Sequence, residues 1–121
     1  MRLLGSVPVL ACSDLEHSLE FYQQALQFII IKKRVGGQGI EWAYLQSGDT
    51  LLMLETGAQQ HEQQAVTRNR LYIYCDDVAA MHHFLKAKAY EVSEIVRTDY
   101  MEEFDLIDPD GQRLTIGRQI K

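Results

Sequence analysis

Hydrophobic positions along the chain follow two periods in turn, and each period predicts a different element. A β-forming run at Val7–Cys12 comes first, and apolar residues then recur at spacings of four, three and four, at Leu15, Leu19, Tyr22 and Leu26. This spacing puts one apolar stripe on an amphipathic helix of about three turns. Three runs separated by turn residues then predict a meander of strands: Phe28–Val35, Ile40–Ser47 and Thr50–Thr56. This part of the chain is therefore predicted to form a βαβββ unit.

Two local signals set the boundaries of these elements. Ser13 and Glu16 stand three residues apart, as in a capping box, where each side chain accepts a hydrogen bond from an otherwise unpaired amide. We expect the helix to begin at this box. The glycine-rich segment Gly36–Gly39 predicts a hairpin tip, because no helix follows it to complete a phosphate-binding loop.

The second half of the chain repeats the same order of elements. Its predicted elements are a strand, a helix and three strands: Arg70–Cys75, Asp77 to about Ala87, Tyr90–Arg97, Glu103–Ile107 and Arg113–Arg118. An offset of 63 residues also matches identical residues of the two halves: Cys12 with Cys75, Asp14 with Asp77, Phe21 with Phe84, and Gly48 with Gly111. Since both the elements and these residues repeat, we predict two copies of one βαβββ module.

The predicted fold is α+β, in a single domain that covers residues 1–121. The two modules span about 1–56 and 69–121, and a glutamine-rich segment at about 57–68 is predicted to link them. We expect the tandem modules to form a curved mixed sheet with a concave pocket, and with the helices on the outside.

Two segments carry a resemblance to a known family. They are PVLACSDLEHSLEFYQQALQF, with a strand, a capped helix and a Ser-x-x-Phe-Tyr segment, and DPDGQRLTIG, a closing hairpin. The chain resembles the vicinal-oxygen-chelate superfamily, which includes glyoxalase I, extradiol dioxygenases, fosfomycin-resistance transferases and bleomycin-resistance proteins. The resemblance covers nearly the whole chain and implies the tandem-module fold and a homodimer. It leaves the function open, because one scaffold hosts many chemistries.

The resemblance also implies where a metal would lie in the metal-dependent members. Those members commonly carry a histidine in the first strand of each copy, seven residues before the helix-starting aspartate, and an acidic residue in the last strand. The matching positions here are Val7, Arg70 and Thr115, with either Glu55 or Met53 at the fourth. Zinc and iron need three or four converging N, S or O ligands. We therefore predict no metal and no cofactor, as in the metal-free bleomycin-resistance-like branch.

Strand alternation predicts which side chains line the concave side, because successive side chains point to opposite faces of a sheet. A two-residue turn at Gly48–Asp49 would pair Ser47 with Thr50 and fix the register of that hairpin. The predicted ligand-binding residues are Trp42, Tyr44, Met53, Glu55, Arg70, Tyr72, Tyr74, Glu103, Asp105 and Thr115. Aromatic rings beside more acidic than basic groups suit an aromatic or cationic ligand. The same rings could instead fill a closed sheet interior or a dimer contact.

Composition restricts the partners. The 121 residues carry a formal charge of −5, and their cations are scattered, whereas nucleic-acid affinity depends on clustered cations. No apolar run approaches the roughly 20 residues that a membrane helix needs. Cys12 and Cys75 lack CxxC spacing and fit the reduced thiols of an intracellular protein. We expect a cytoplasmic homodimer that binds neither nucleic acid nor membranes.

These observations favour a metal-free protein that binds a small organic molecule, such as a drug- or toxin-sequestering protein. One alternative is a metal-dependent lyase, transferase or dioxygenase of the same superfamily, and another is a protein that uses the fold as an interaction surface. The chain has no nucleophile motif, and its catalytic residues are unknown. Glu55 with Asp105, or Glu103 with Asp105, would suit a metal-free acid–base enzyme.

Overall fold

The computed structural model describes residues 1–57 and 69–121. Contacts within the chain divide it into two compact units, Met1–Ala65 and Val66–Lys121. Apart from Gly57, the predicted linker at 57–68 lies outside the described residues.

The first unit contains one helix and a four-stranded mixed sheet. Its elements are β1 (Val9–Cys12), α1 (Leu15–Leu26), β2 (Ile29–Gly36), β3 (Gly39–Ser47) and β4 (Thr50–Thr56). The strand order is β1-β4-β3-β2, with β1 parallel to β4 and the other pairs antiparallel. The predicted βαβββ unit and the hairpin tip at Gly36–Gly39 are confirmed.

The second unit repeats this topology. Its elements are β5 (Arg70–Tyr74), α2 (Val78–Ala87), β6 (Val96–Arg97), β7 (Met101–Ile107) and β8 (Arg113–Gln119). The strand order is β5-β8-β7-β6, again with one parallel pair. The predicted α+β fold of tandem modules is therefore confirmed, with its strands divided between two four-stranded mixed sheets.

Each helix covers one face of its own sheet. Helix α1 contacts β3 and β4, and α2 contacts β7 and β8. The core of the first unit lies under α1 and includes fully buried side chains from both layers: Tyr22, Ala25, Ala43, Leu45, Leu52 and Leu54. The core of the second unit lies under α2: Val78, Leu85, Phe104, Leu106, Leu114 and Ile116. Among the described residues, neither helix has the length and apolar character needed to cross a membrane.

The first helix begins one residue later than predicted. Asp14, not Ser13, is the N-cap, and its Oδ1 accepts a hydrogen bond from the His17 amide at 3.1 Å. Asp77 caps α2 in the same way, through the Ala80 amide at 3.0 Å. Aspartate and serine are comparably good N-caps, so the chain could use either residue. The repeated aspartates at the offset of 63 were the better signal.

The strand predicted at Tyr90–Arg97 is wrong for most of its length, because only Val96–Arg97 forms a strand. The remainder makes one isolated bridge, between Val92 and Leu106. Ser93 explains the interruption: its hydroxyl accepts from the Asp105 amide at 2.8 Å, while its carbonyl oxygen lies 2.8 Å from Nε2 of His82. A side-chain hydroxyl thus takes the place of a carbonyl in the strand ladder.

Candidate functional site

The sheet face opposite α1, here called face 1, carries the predicted binding residues of the first unit. Residues directly opposite each other on neighbouring strands point to the same side of a sheet. The register pairs Trp42 with Glu55 and Tyr44 with Met53, as predicted, and the next strand adds Val9 beside Met53. The alternate residues of β3 and β4 are buried under α1. The structure therefore brings all four predicted side chains of this unit onto one face.

Face 1 is aromatic and half-buried. The rings of Trp42 and Tyr44 meet edge to face, with centroids 6.1 Å apart. Within the part of the chain that the structure describes, the polar side-chain atoms of Trp42, Tyr44 and Glu55 form no hydrogen bond or ion pair with other residues. A donor, a hydroxyl and a carboxylate are thus available beside two ring faces.

Sequence reasoning missed two cations on face 1. Lys32 lies opposite Tyr44, and Arg34 lies opposite Trp42. A register shift between Ile30 and Lys32 breaks the simple alternation of β2, because an extra residue in one strand turns the following side chains to the other face. The run of three isoleucines at 29–31 gives no signal of this shift.

The face opposite α2, here called face 2, carries the other six predicted residues. Three adjacent strands place Tyr72, Thr115 and Asp105 in one row across the sheet, and Tyr74, Gly117 and Glu103 in the next. Arg70 stands one row earlier, opposite Arg113. The structure therefore also brings these six residues onto one face, and it adds Arg113, which sequence reasoning missed.

Face 2 is held together by its own polar contacts. The Thr115 hydroxyl donates to Oδ1 of Asp105 at 2.7 Å, and Nε of Arg113 donates to Oδ2 at 2.8 Å. Thr115 is fully buried, although it points away from α2. Both oxygens of Asp105 are thus engaged within the sheet, and Thr115 positions Asp105 rather than facing solvent.

Tyr72 and Glu103 make the second contact of this network. The Tyr72 hydroxyl donates to Oε1 of Glu103 at 3.0 Å, and the guanidinium of Arg70 lies 5.9 Å from the centroid of the Tyr72 ring. Nη1 of Arg70 reaches Oε2 of Glu103 at 3.8 Å. Burial of the hydroxyl and its hydrogen bond to Glu103 raise the pKa of Tyr72 to about 12.

Gly117 makes room for this arrangement. A Cβ at Gly117 would meet the Tyr72 hydroxyl, and it would lie 2.8 Å from the backbone oxygen of Glu102 and 2.9 Å from Cβ of Glu103. Real Cβ atoms do not approach other heavy atoms this closely. The absence of a side chain at this position allows Tyr72 to reach across β8 to Glu103.

The two faces can be matched position by position. Val9 lies opposite Met53, and Tyr72, its counterpart at the offset of 63, lies opposite Thr115. Met53 is therefore the counterpart of Thr115, and Glu55 is the counterpart of Gly117. The sequence left open whether Glu55 or Met53 occupies the fourth position at which metal-dependent members carry a ligand. The strand register assigns that position to Met53.

A further pocket, which sequence reasoning did not find, lies at the start of α1 and has a volume of about 540 Å³. It is lined by the helix start, the hairpin tip and Thr56: Ser13, Asp14, Leu15, Glu16, Gly37, Gln38, Gly39, Ile40, Glu41 and Thr56. Asp14 already caps the helix, and Glu41 lies 3.5 Å from Arg34. The lining carries three carboxylates, those of Asp14, Glu16 and Glu41, and no basic side chain, so it is acidic, and the positive end of the helix dipole offsets part of this charge.

The side chains at the positions that the resemblance assigns to metal ligands do not fit a metal. Val7 has no donor atom, Arg70 carries a fixed positive charge, and the buried Thr115 hydroxyl donates to Asp105. Met53 at the fourth position offers only a thioether, a soft ligand that does not suit zinc or iron bound by nitrogen and oxygen. Within residues 1–57 and 69–121, no three His, Cys, Asp or Glu side chains come together as a possible metal site.

Comparison with solved structures supports the fold independently. A bleomycin-binding protein complexed with bleomycin is 19% identical, with a TM-score of 0.75 over 96% of this chain and 98% of that chain. An antibiotic-binding protein from Streptomyces sp. CB03234 is 21% identical, with a TM-score of 0.75 over 98% and 99%. Lactoylglutathione lyase from Agrobacterium tumefaciens is 18% identical, with a TM-score of 0.74 over 94% and 92%. At these identities the likeness shows the fold alone.

The family itself follows from the sequence. No curated protein sequence matches the chain significantly. The family model of the glyoxalase/bleomycin resistance protein/dioxygenase superfamily, however, matches residues 6–116. Together with the tandem βαβββ units, this match shows that the chain belongs to the glyoxalase/bleomycin resistance protein/dioxygenase superfamily.

Proposed function

We propose that this protein binds a small organic molecule with an aromatic or cationic group, without a metal or other cofactor. The observation that carries the proposal is the set of side chains on face 1. Trp42 and Tyr44 present a half-buried aromatic corner, and Glu55 beside them has no partner among the described residues. A ring attracts a cation by about 0.5–2 kcal/mol, and the carboxylate adds charge complementarity.

The carboxylates of the two faces differ in their availability. Glu103 and Asp105 are already bonded to Tyr72, Arg113 and Thr115. Attraction of a cationic group therefore depends on Glu55. The cations of face 1, Lys32 and Arg34, lie on β2, two strands away from it. The proposal thus assigns the aromatic and cationic part of the ligand to face 1.

Two of the similar structures are consistent with binding. Their names describe a protein complexed with bleomycin and an antibiotic-binding protein. The lack of suitable donors at Val7, Arg70 and Thr115 supports the metal-free reading. Metal analysis of protein purified without chelator tests it: we expect well under one ion of zinc, nickel, iron or manganese per chain, and one tightly held ion per chain would contradict it.

Fluorescence of Trp42, the single tryptophan of the chain, is the direct test of ligand binding. We expect cationic aromatic compounds to change its emission in a saturable way and to raise the unfolding temperature. A compound at 100 times its Kd should stabilise the protein by about 2.7 kcal/mol. No response across a broad panel, in both measurements, would contradict the proposal.

Glu55→Gln tests the role of charge on face 1. Loss of the carboxylate should weaken binding of a cationic compound about fivefold to tenfold while leaving a neutral aromatic compound nearly unaffected. Glu20→Gln is the matched control, because Glu20 is exposed on α1, on the other side of the sheet. An equal loss in both variants would show that only the net charge of the protein matters.

We also propose that the protein is a cytoplasmic homodimer. Exposed apolar side chains on the edge strand β2 support association: Ile29 is 61% exposed and Val35 is 62% exposed. Cys12 and Cys75 are not joined in a disulfide, which suits a reducing compartment. Sedimentation equilibrium should give twice the mass of the chain, and a Val35→Lys variant should shift the protein toward monomer.

A further inference from the structure

The strand register places two arginines side by side on face 2. Arg70 of β5 and Arg113 of β8 are direct partners in the parallel pair, and both point away from α2. Like charges opposite each other in a sheet are destabilising. Each arginine is therefore expected to need an anion nearby.

The protein supplies those anions only in part. Arg113 uses Nε alone to bond Asp105, and Arg70 approaches Glu103 at 3.8 Å, which is beyond hydrogen-bond distance. Among the described residues, the terminal nitrogens of Arg113 donate no hydrogen bond, and neither does any nitrogen of Arg70. The Arg113 side chain is 51% exposed, and the Arg70 side chain is 42% exposed. Two guanidinium edges therefore face solvent with unused donors.

We propose that Arg70 and Arg113 form a binding subsite for the carboxylate of a planar aromatic acid. A guanidinium edge matches the two oxygens of a carboxylate in a bidentate contact, which is stronger and more directional than a single bond. The hydrogen bond to Asp105 holds Arg113 in place before the ligand arrives, and the charge of Glu103 draws Arg70 toward the same row.

The neighbouring tyrosines give the reason for an aromatic acid. Arg70, Tyr72 and Tyr74 follow one another on the same face of β5, at about 6.7 Å intervals. Tyr72 and Tyr74 lie 5.3 Å apart between ring centroids, and Tyr74 is 65% exposed. A carboxylate at the arginine pair would therefore bring an attached ring over these tyrosines. The inference rests on the proposed function and deepens it, because it assigns the carboxylate of an aromatic acid to face 2.

Three compounds of one shape but different charge provide the test. Benzoate, benzamide and benzamidine share a ring with a planar substituent that is anionic, neutral or cationic. In 15N-labelled protein, we expect benzoate to shift the Nε–H resonances of Arg70 and Arg113 saturably, and to bind about tenfold more tightly than benzamide. Inorganic phosphate, which lacks a ring, should bind more weakly than benzoate.

Variants separate the subsite from general electrostatics. Arg113→Lys keeps the charge but removes the planar edge, so it should weaken benzoate binding about tenfold. Arg118→Lys is the matched control, because Nε of Arg118 also bonds a carboxylate, that of Glu102 at 3.0 Å, but its side chain lies on the other face. It should change the affinity less than twofold. Arg70→Lys is the second variant if Arg113→Lys does not fold.

The outcomes distinguish this inference from the proposed function. Equal binding of the three compounds, or equal losses in the Arg113 and Arg118 variants, would overturn the aromatic-acid subsite and leave the proposed function standing. Tighter binding of phosphate than of benzoate would also overturn it. Absence of benzoate binding together with a silent compound panel at Trp42 would overturn both.

Discussion

Faces 1 and 2 have the same strand topology, but their polar side chains differ in how they are bonded. In the first unit, the aromatic residues lie on β3 and the carboxylate lies on β4, and their polar atoms are free of partners among the described residues. In the second unit, the aromatic residues lie on β5 and the carboxylates on β7. Tyr72 donates to Glu103 across β8, and Thr115 of β8 donates to Asp105. The carboxylate of face 1 is left without a partner among the described residues, whereas the carboxylates of face 2 are bonded within the sheet.

The residues at the centre of each face account for this difference. Gly117 lets Tyr72 cross the strand to Glu103, whereas at the equivalent place on face 1 the Glu55 carboxylate has no partner in residues 1–57 and 69–121. Thr115 donates to Asp105, whereas Met53 at the equivalent place has no hydrogen to donate. The differences between Gly117 and Glu55, and between Thr115 and Met53, therefore decide whether the carboxylates of a face are bonded within the sheet.

The largest effect is expected from closing the gap at Gly117. Gly117→Ala places a Cβ against the backbone of Glu102 and the Tyr72 hydroxyl, so overpacking should lower the free energy of unfolding by about 1–3 kcal/mol. Gly37→Ala is the matched control, since a Cβ there meets no atom within 4 Å. Urea unfolding measures both variants. Equal stability of the two would show that Tyr72 does not depend on the space at Gly117.

Removal of the Thr115 hydroxyl should have the next largest effect. Thr115→Val leaves one oxygen of the half-buried Asp105 without its donor, and we expect a loss of about 1–2 kcal/mol in unfolding free energy. Met53→Leu, at the equivalent position of face 1, should cost less than about 1 kcal/mol, because it conserves volume and breaks no hydrogen bond. Similar losses in the two variants would contradict the distinction between a bonded and an open face.

A stabilising change is expected on the helix side of the first unit. Ser18 is 1% exposed, and among the described residues its hydroxyl is buried without a hydrogen-bond partner. The counterpart of Ser18 in the second unit is Met81, which has no hydroxyl. Ser18→Ala should therefore raise the unfolding free energy by about 1 kcal/mol. Ala25→Ser, the reverse change at another buried position of α1, should lower it. A loss of stability in Ser18→Ala would reveal a hidden partner.

The smallest effect concerns pH and the Tyr72 hydroxyl. Because the pKa of Tyr72 is raised to about 12 in the folded protein, from 10.0, the folded state holds this proton longer than the unfolded state. The resulting stability is fully present below pH 10 and is lost as the pH rises through about 12. Tyr72→Phe should lack this loss, so the stability difference between the wild type and the variant should shrink between pH 10 and 12. A constant difference would contradict the Tyr72–Glu103 hydrogen bond.

Local patterns in the sequence predicted most of the fold. The apolar stripe from Leu15 to Leu26, the turn at Gly48–Asp49 and the pairing of Ser47 with Thr50 are confirmed, because spacing and turn type act between residues close in sequence. The interruption near Ser93 was not predicted, since it depends on a hydroxyl that meets the Asp105 amide from another strand.

The sequence by itself determined the duplicated module, most of its elements and the face on which each predicted residue lies, because side-chain direction follows from the period of a helix or strand. The tertiary structure alone decided which polar groups on those faces are engaged. The bulge that brings Lys32 and Arg34 to face 1 appears only in the pairing of β2 with β3, and the reach of Tyr72 over Gly117 to Glu103 joins strands that are distant in sequence. Hydrogen bonds act over about 3 Å, so only the packed strands show whether a carboxylate is bonded within the protein or left for a ligand.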